Sequence, residues 1–264
     1  PILMIGVNKL TIYFGAQSQG RPTTPVSTEK VKVESWSRSL ISVGSISADQ
    51  GINVTVSLPG IVDKIYFNSG DQVSKGATLI RQDTSVLKAE LEGLKADQQL
   101  NSIQFERMAK LFKVKKISKS ELDRSEALLK QARAKVKAKS NEVQLKTIVA
   151  PFDGLLGIRQ INLGTYLQPG DPIVQLSNVS PIHIDFTLPE KYINEIKIGL
   201  VTEIKVAAYP DQKFTGFVTA IDPLIRPDTR NVSLRATFDN KEKLLRPGMY
   251  CEVNAIIESK QQVL

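Results

Sequence analysis

The residues able to carry chemistry are few in this chain of 264 residues, which holds one histidine, His183, and one cysteine, Cys251. A zinc centre of His/Cys type needs about four such ligands, so none can be assembled within one chain. A single cysteine excludes an intrachain disulfide and leaves the redox compartment open. Any Ser/His or Cys/His nucleophile would depend on His183 alone. That histidine sits in an alternating stretch, Ile182-His183-Ile184-Asp185-Phe186, with no acid–base constellation near it in sequence. Cys251 shares an alternating face with Met249 and Val253 and reads as core. No Gly-x4-Gly-Lys-Ser/Thr loop is present to cradle phosphate. These features imply a protein that is not an enzyme and uses no cofactor or metal.

The remaining chemistry is cationic. The formal net charge is +8, and it is concentrated: residues 85–145 carry 14 Lys/Arg against 8 Asp/Glu, the rest of the chain 21 against 19. Lys113, Lys115, Lys116, Lys119, Lys135, Lys137 and Lys139 suggest a nucleic-acid-binding helical hairpin as one reading. No aromatic residues are interleaved with these lysines, and a Lys-rich helical hairpin is more often a solvated face.

The elements that position these groups begin with an internal repeat. Gly60, Gly70 and Gly76 recur 94 residues later as Gly154, Gly164 and Gly170, and Val62, Val73 and Leu79 recur at the same offset as Leu156, Leu167 and Ile173. Glycine at these corners supplies tight turns between short strands, and the apolar positions turn one face inward. Each copy is too small to bury a core alone, so two copies must close on each other as a β-sandwich. The pattern resembles the half-motif of biotinyl and lipoyl carrier domains, which present a modified lysine where the halves meet. About 60 residues are inserted at that junction here, so a carrier lysine has no place.

The insert reads as two helices. A heptad seam runs through Leu87, Leu91, Leu94, Gln98, Asn101, Phe105, Met108 and Phe112. A second runs through Leu122, Ser125, Leu129, Ala132, Val136 and Val143. Between them Ser118-Lys-Ser-Glu121 is a capping box with Ser118 as N-cap. Helices of about 27 residues reach roughly 40 Å, more than the width of a small sandwich, so the hairpin is expected to project. A structured insert with adjacent ends also costs less closure entropy than a floppy one, for which the penalty is about 2–3 kcal/mol.

Downstream, Ile182/Ile184/Phe186 alternate with His183 and Asp185, Ile204/Val206/Ala208 with Lys205 and Ala207, and Val232/Leu234/Ala236 with Ser233 and Arg235. Turn signals fall at Tyr209-Pro-Asp, Arg226-Pro-Asp and Arg246-Pro-Gly. This suits a small barrel, with Ser39–Ser47 (Leu40, Val43, Ile46) as its first strand. The apolar start, Pro1 to Val7, is read either as the remnant of a trimmed anchor or signal segment or as a short terminus. Gln17–Pro25 reads as a linker, and no stretch reaches the roughly 18 apolar residues of a membrane span.

The expected fold is therefore mainly β with an α-helical hairpin: a split lipoyl-like β-sandwich carrying a coiled-coil hairpin, a small β-barrel and a partial membrane-proximal β-region. The boundaries are residues 1–25 for the anchor remnant or linker, and 26–38 with 255–264 for the membrane-proximal part. The barrel takes 39–53 and 176–254, the lipoyl-like domain 54–84 and 146–175, and the hairpin 85–145.

This order resembles the periplasmic adaptors, or membrane fusion proteins of the HlyD-like family, of tripartite efflux pumps of the resistance-nodulation-division (RND) type. Pro227-Asp-Thr-Arg-Asn-Val232 and Leu244-Leu-Arg-Pro-Gly-Met249 also look like that family. The resemblance implies a scaffold in the periplasm, attached to the inner membrane, which links an inner-membrane RND transporter to a TolC-like outer-membrane channel for export of drugs or other small molecules. It implies a homo-oligomeric, commonly hexameric, ring. An ABC-type exporter as partner remains open at this point. The family carries an Arg-x3-Leu-x6-Ser pattern at the hairpin tip that docks onto the channel, and Arg107, Leu111 and Ser118 have that spacing. Arg107 and Leu111, four apart, share one helical face. The alternatives are an ordinary solvated charge for Arg107, seam-flanking packing for Leu111 and the N-cap for Ser118.

Overall fold

Glycine corners and apolar alternation account for most of the strands. The structure, a computed structural model, describes residues 33–263. The stretch 1–25 and the start of 26–38 lie outside the described residues. The first half comprises β1 (Val33–Thr55), β2 (Gly60–Ile65), β3 (Gln72–Val73) and β4 (Thr78–Gln82), then α1 (Ser85–Lys113) and α2 (Lys119–Leu145). β5 (Thr147–Val149), β6 (Gly154–Leu156), β7 (Tyr166–Leu167) and β8 (Pro172–Pro189) follow. After a short 3-10 turn at Glu190–Tyr192 come β9 (Val201–Val206), β10 (Tyr209–Arg226), β11 (Asn231–Phe238) and β12 (Tyr250–Val263). Ser37–Glu258 form one compact unit, to which the side chains described below belong.

The repeat folds into a sandwich whose two halves exchange backbone hydrogen bonds. Gly76 N–H donates to Ala150 O (2.7 Å), and its counterpart Gly170 N–H donates to Val56 O (3.0 Å). Leu156 N–H donates to Asp71 O (2.9 Å), matched by Val62 N–H to Thr165 O (3.0 Å). The ladders obey the same 94-residue exchange: Gln72 pairs with Leu155 as Tyr166 pairs with Ile61. A local pseudo-twofold axis therefore relates the copies. Gly70, Gly76, Gly164 and Gly170 all have φ between +78° and +95°, the left-handed region that an L side chain enters only at a cost. Val54, Val62, Phe67, Leu79, Ile80, Leu156, Leu167, Ile173, Val174 and Leu176 form the shared core.

β1 and β8 leave this sandwich to build the barrel. Residues 50–55 of β1 pair with 172–178 of β8 in the sandwich, and residues 44–48 pair with 182–186 beyond a register shift. In the larger sheet β1, β12, β9, β10, β11 and β8 are neighbours in that order, and β8 pairs back to β1, so six strands close a barrel. Its core includes Ile182, Ile184, Phe186, Ile204, Val206, Leu234, Ala236, Cys251 and Val253, the alternating sets read from the sequence.

Two local expectations change. In the first strand Leu40 and Ile46 face the core, but Val43 is 71% exposed, because strand alternation places positions 40, 42, 44 and 46 on one side. The Tyr209-Pro-Asp turn is displaced too: Tyr209 pairs directly with Val206, so Ala207-Ala208 form the turn and Ala208 is exposed rather than inward. Pro210 is tolerated because the β9–β10 register is irregular between Tyr209 and Phe214.

Candidate functional site

The hairpin supplies the site's scaffold. α1 has 29 residues and α2 has 27, and neither barrel nor sandwich core includes a residue from them. They pack chiefly on each other, as a hairpin standing off the sandwich does. Leu91 on α1 and Ser125, Leu129 and Ala132 on α2 are the buried seam residues. The position left out of the second seam is Lys139. It completes the 4-3 spacing as a cation, and its Nζ lies 2.8 Å from Glu90 on the facing helix and 2.7 Å from Glu142. These two carboxylates raise the Lys139 pKa. Lys139 is thus a seam residue, not a free cation, whereas Lys135 and Lys137 are exposed.

The tip is shaped by its caps. α1 ends in a Schellman arrangement: Lys116 N–H donates to Leu111 O (3.0 Å) and Lys115 N–H to Phe112 O (2.9 Å). Lys115 takes the left-handed position with φ of 57°, where glycine is the usual occupant. α2 begins with the expected capping box. Glu121 N–H donates to Ser118 Oγ (3.2 Å), and Ser118 N–H donates to Glu121 Oε2 (2.8 Å). The Ser118 backbone N–H, then its hydroxyl, holds the Glu121 carboxyl below its ordinary pKa.

Within this frame the three sequence-derived site residues separate. Ser118 is occupied as the N-cap, its hydroxyl also lying 2.9 Å from Glu121 Oε2. Leu111 is half-buried at the last turn of α1, with its carbonyl in the cap. Arg107 is exposed one turn below, and among the described residues no carboxylate is paired with it. Lys110, Lys113, Lys115, Lys116 and Lys119 are exposed nearby, so the tip offers a cationic surface in which Leu111 is half-buried and Phe112 and Val114 are exposed. Such a surface suits a partner that presents carboxylates or carbonyls.

The barrel brings together a polar group that the sequence does not announce. His183 Nε2 lies 3.2 Å from Asp49 Oδ1, and its Nδ1 lies 3.0 Å from Thr237 Oγ1. Beside it, Arg235 donates to both Asp185 oxygens, at 2.7 Å and 3.0 Å. Burial works to raise the Asp185 pKa, but hydrogen bonds from Arg235 and Ser47, with the charges of Arg235 and His183, outweigh it and hold it below its ordinary value. These contacts cross β1, β8 and β11 and tie three strands together. Their only signal in the sequence is polarity on the outward side of alternating strands. Among the described residues no group of three or more His, Cys, Asp or Glu is placed to hold a metal ion, and no helix is long and apolar enough to cross a membrane.

Comparison with known proteins gives this arrangement a context. Residues 83–146 match the family described as the RND MFP alpha-helical hairpin domain, and residues 181–259 match the CusB-like beta-barrel domain. An uncharacterised protein of Haemophilus influenzae is 28% identical, over 97% of this chain and 68% of its own length. Multidrug resistance protein MdtA of Proteus mirabilis is 27% identical, over 94% of this chain and 66% of its own length. The chain thus spans about two thirds of the curated relatives it matches. Among solved structures, a MacA-MexA chimeric protein containing the Pseudomonas aeruginosa MexA alpha-hairpin domain superposes with a TM-score of 0.77. That match has 22% identity and covers 90% of this chain and 87% of the chimera.

Proposed function

The chain belongs to the RND-type membrane fusion proteins, and on that premise we propose that it is a periplasmic adaptor joining an inner-membrane RND transporter to a TolC-like outer-membrane channel. Its work is assembly rather than catalysis. The hairpin tip docks on the channel, and the barrel and sandwich pack into a homo-oligomeric ring, hexameric when assembled, attached to the inner membrane. Drugs or other small molecules are the exported cargo, as the name of the MdtA relatives suggests. The observation that carries this reading is the hairpin itself. It contributes to neither core and ends in a cationic tip where Arg107 is exposed and, among the described residues, pairs with no carboxylate. Arg107 supplies the guanidinium, Leu111 the apolar knob, and Ser118 holds the start of α2 so that the two helices present them.

Charge reversal tests this. Arg107→Asp is expected to abolish pump-dependent drug tolerance while the protein stays folded and abundant, since an exposed helical position tolerates the change. In-cell cross-linking from the tip is expected to capture an outer-membrane protein in the unmodified chain and not in the variant. Unchanged tolerance in Arg107→Asp, with the same cross-link, would overturn the tip assignment.

A further inference from the structure

The pseudo-twofold axis provides an internal control for the hairpin's attachment. Chain crosses from sandwich to hairpin at two roots, Gln82 at the end of β4 and Lys146 just before β5. Gln82 is fully buried and Lys146 is 9% exposed. Both reach the same loop between β1 and β2: Gln82 Nε2 donates to Leu58 O at 3.1 Å, and Lys146 Nζ donates to Pro59 O. The roots are also joined to each other, Gln82 N–H donating to Lys146 O at 2.9 Å. Applying the 94-residue exchange, the counterparts of Gln82 and Lys146 are Leu176 and Ile52. The sandwich thus builds the same corner twice, with an apolar pair at the end that carries no hairpin and a polar pair at the end that does.

Gln82 is not needed to fill the core, because Leu176 does so fully buried at the equivalent position, whereas Ile52, the counterpart of Lys146, is 41% exposed. Burying an amide and an ammonium instead carries a desolvation cost that only well-placed partners offset. One partner is still lacking, since Gln82 Oε1 is buried without a hydrogen bond. Gly60 keeps room for the arrangement: a Cβ there would lie 2.8 Å from Lys146 Nζ and 3.3 Å from Gln82 Cδ. A cavity of about 190 Å³ beside the root, lined by Leu58, Asp83, Leu87, Glu142 and Lys146 among others, leaves space for the helices to shift. What the polar pair adds over the apolar one is direction, because hydrogen bonds fix an angle and apolar contact does not.

We propose that Gln82 and Lys146 are positioning residues that clamp both roots of the hairpin to the Leu58 and Pro59 carbonyls and so set the direction in which it leaves the sandwich. The clamp stands whether or not the tip docks on a channel. Its leverage comes from length: α2 has 27 residues, about 40 Å at 1.5 Å per residue, so a swing of about 15° at the root moves the tip by about 10 Å.

The test is a spin-label distance measurement by double electron–electron resonance on the full chain, with nitroxides at Lys119→Cys on the hairpin and Gln168→Cys on the sandwich. Native Cys251 is buried and does not compete for label. Gln82→Leu and Lys146→Met, separately and together, are expected to broaden the distance distribution by the part of that displacement lying along the line between the labels, with sandwich amide exchange unchanged. Gly60→Ala, which displaces the ammonium, is expected to broaden it as well, and Lys146→Arg to restore a narrow distribution. A distribution as narrow in the double variant as in the unmodified chain would overturn the clamp. So would loss of the sandwich fold in Gln82→Leu, because the pair would then be holding the core rather than the angle.

Discussion

Ser118 is where a structural role and the proposed docking role meet, and substitution separates them. The structure gives it a complete capping box, with Glu121 N–H on its hydroxyl and its own N–H on the Glu121 carboxylate. Replacing a serine N-cap by alanine costs about 1 kcal/mol, whereas asparagine caps about as well as serine. Asparagine is preferred to aspartate here because a second carboxylate would face Glu121 Oε2, which lies 2.9 Å from Ser118 Oγ. The cost falls on the first turn of α2, so the assay is native-state hydrogen exchange at Leu122 and Asp123. A loss of about 1 kcal/mol there appears as about a fivefold faster exchange in Ser118→Ala. Ser118→Asn is expected to exchange at the unmodified rate and to retain pump-dependent tolerance, because the cap is preserved while the hydroxyl is lost. Unchanged exchange in Ser118→Ala would refute the energetic argument. Restored exchange with lost tolerance in Ser118→Asn would refute the cap as Ser118's role and return it to direct channel contact.

Burial pushes the Cys251 thiol up to about 11, so at pH 8 its thiolate fraction is about a hundredfold below that of a thiol titrating near 9. Alkylation of the native protein should be slow and become fast on unfolding, and rapid native labelling would contradict the barrel packing. Asp185 has a lowered folded pKa, so its contribution to stability is present above its unfolded value and is lost as pH falls through the lower folded one. Arg235→Gln removes the main partner and should move the acid-unfolding midpoint of the barrel to higher pH, followed by circular dichroism. An unmoved midpoint would count against that ion pair. The repeat glycines should divide by mechanism. A Cβ at Gly154 would meet Ser177 O at 2.7 Å, while at Gly170, with φ of +95°, it meets nothing within 4 Å. Gly154→Ala should cost about 1–3 kcal/mol through overpacking and Gly170→Ala about 1–2 kcal/mol through backbone strain. Asparagine should recover stability only at 170, and equal recovery at both would refute the division.

Much of the fold was legible because it is written in short-range periodicity. The 94-residue offset carries the sandwich, the 4-3 spacing carries the hairpin, and Ser118 with Glu121 marks the start of α2 to the residue. Misreadings arose where a local rule met a longer-range one. Val43 was placed with Leu40 and Ile46 by a spacing of three that no strand supports, and Ala208 was continued inward past a turn that the Val206–Tyr209 pairing closes. Lys139 escaped the seam because it is charged, although Glu90 and Glu142 make that charge compatible with a half-buried position. Arg107 and Leu111 were singled out by family spacing alone; nothing in composition distinguishes Arg107 from the other exposed cations around it.

The sequence by itself determined the elements and their order, since alternation, heptads, glycine corners and caps act within a few residues or through an exact repeat. It also determined that chemistry on this chain is sparse, with one histidine and one cysteine. Only the tertiary structure decided which distant polar groups meet: His183 with Asp49 and Thr237, Asp185 with Arg235, and Gln82 and Lys146 with the Leu58–Pro59 loop. Those pairings are set by strand register and by the pseudo-twofold axis. Register is a property of two strands at once, and no single stretch of residues contains it.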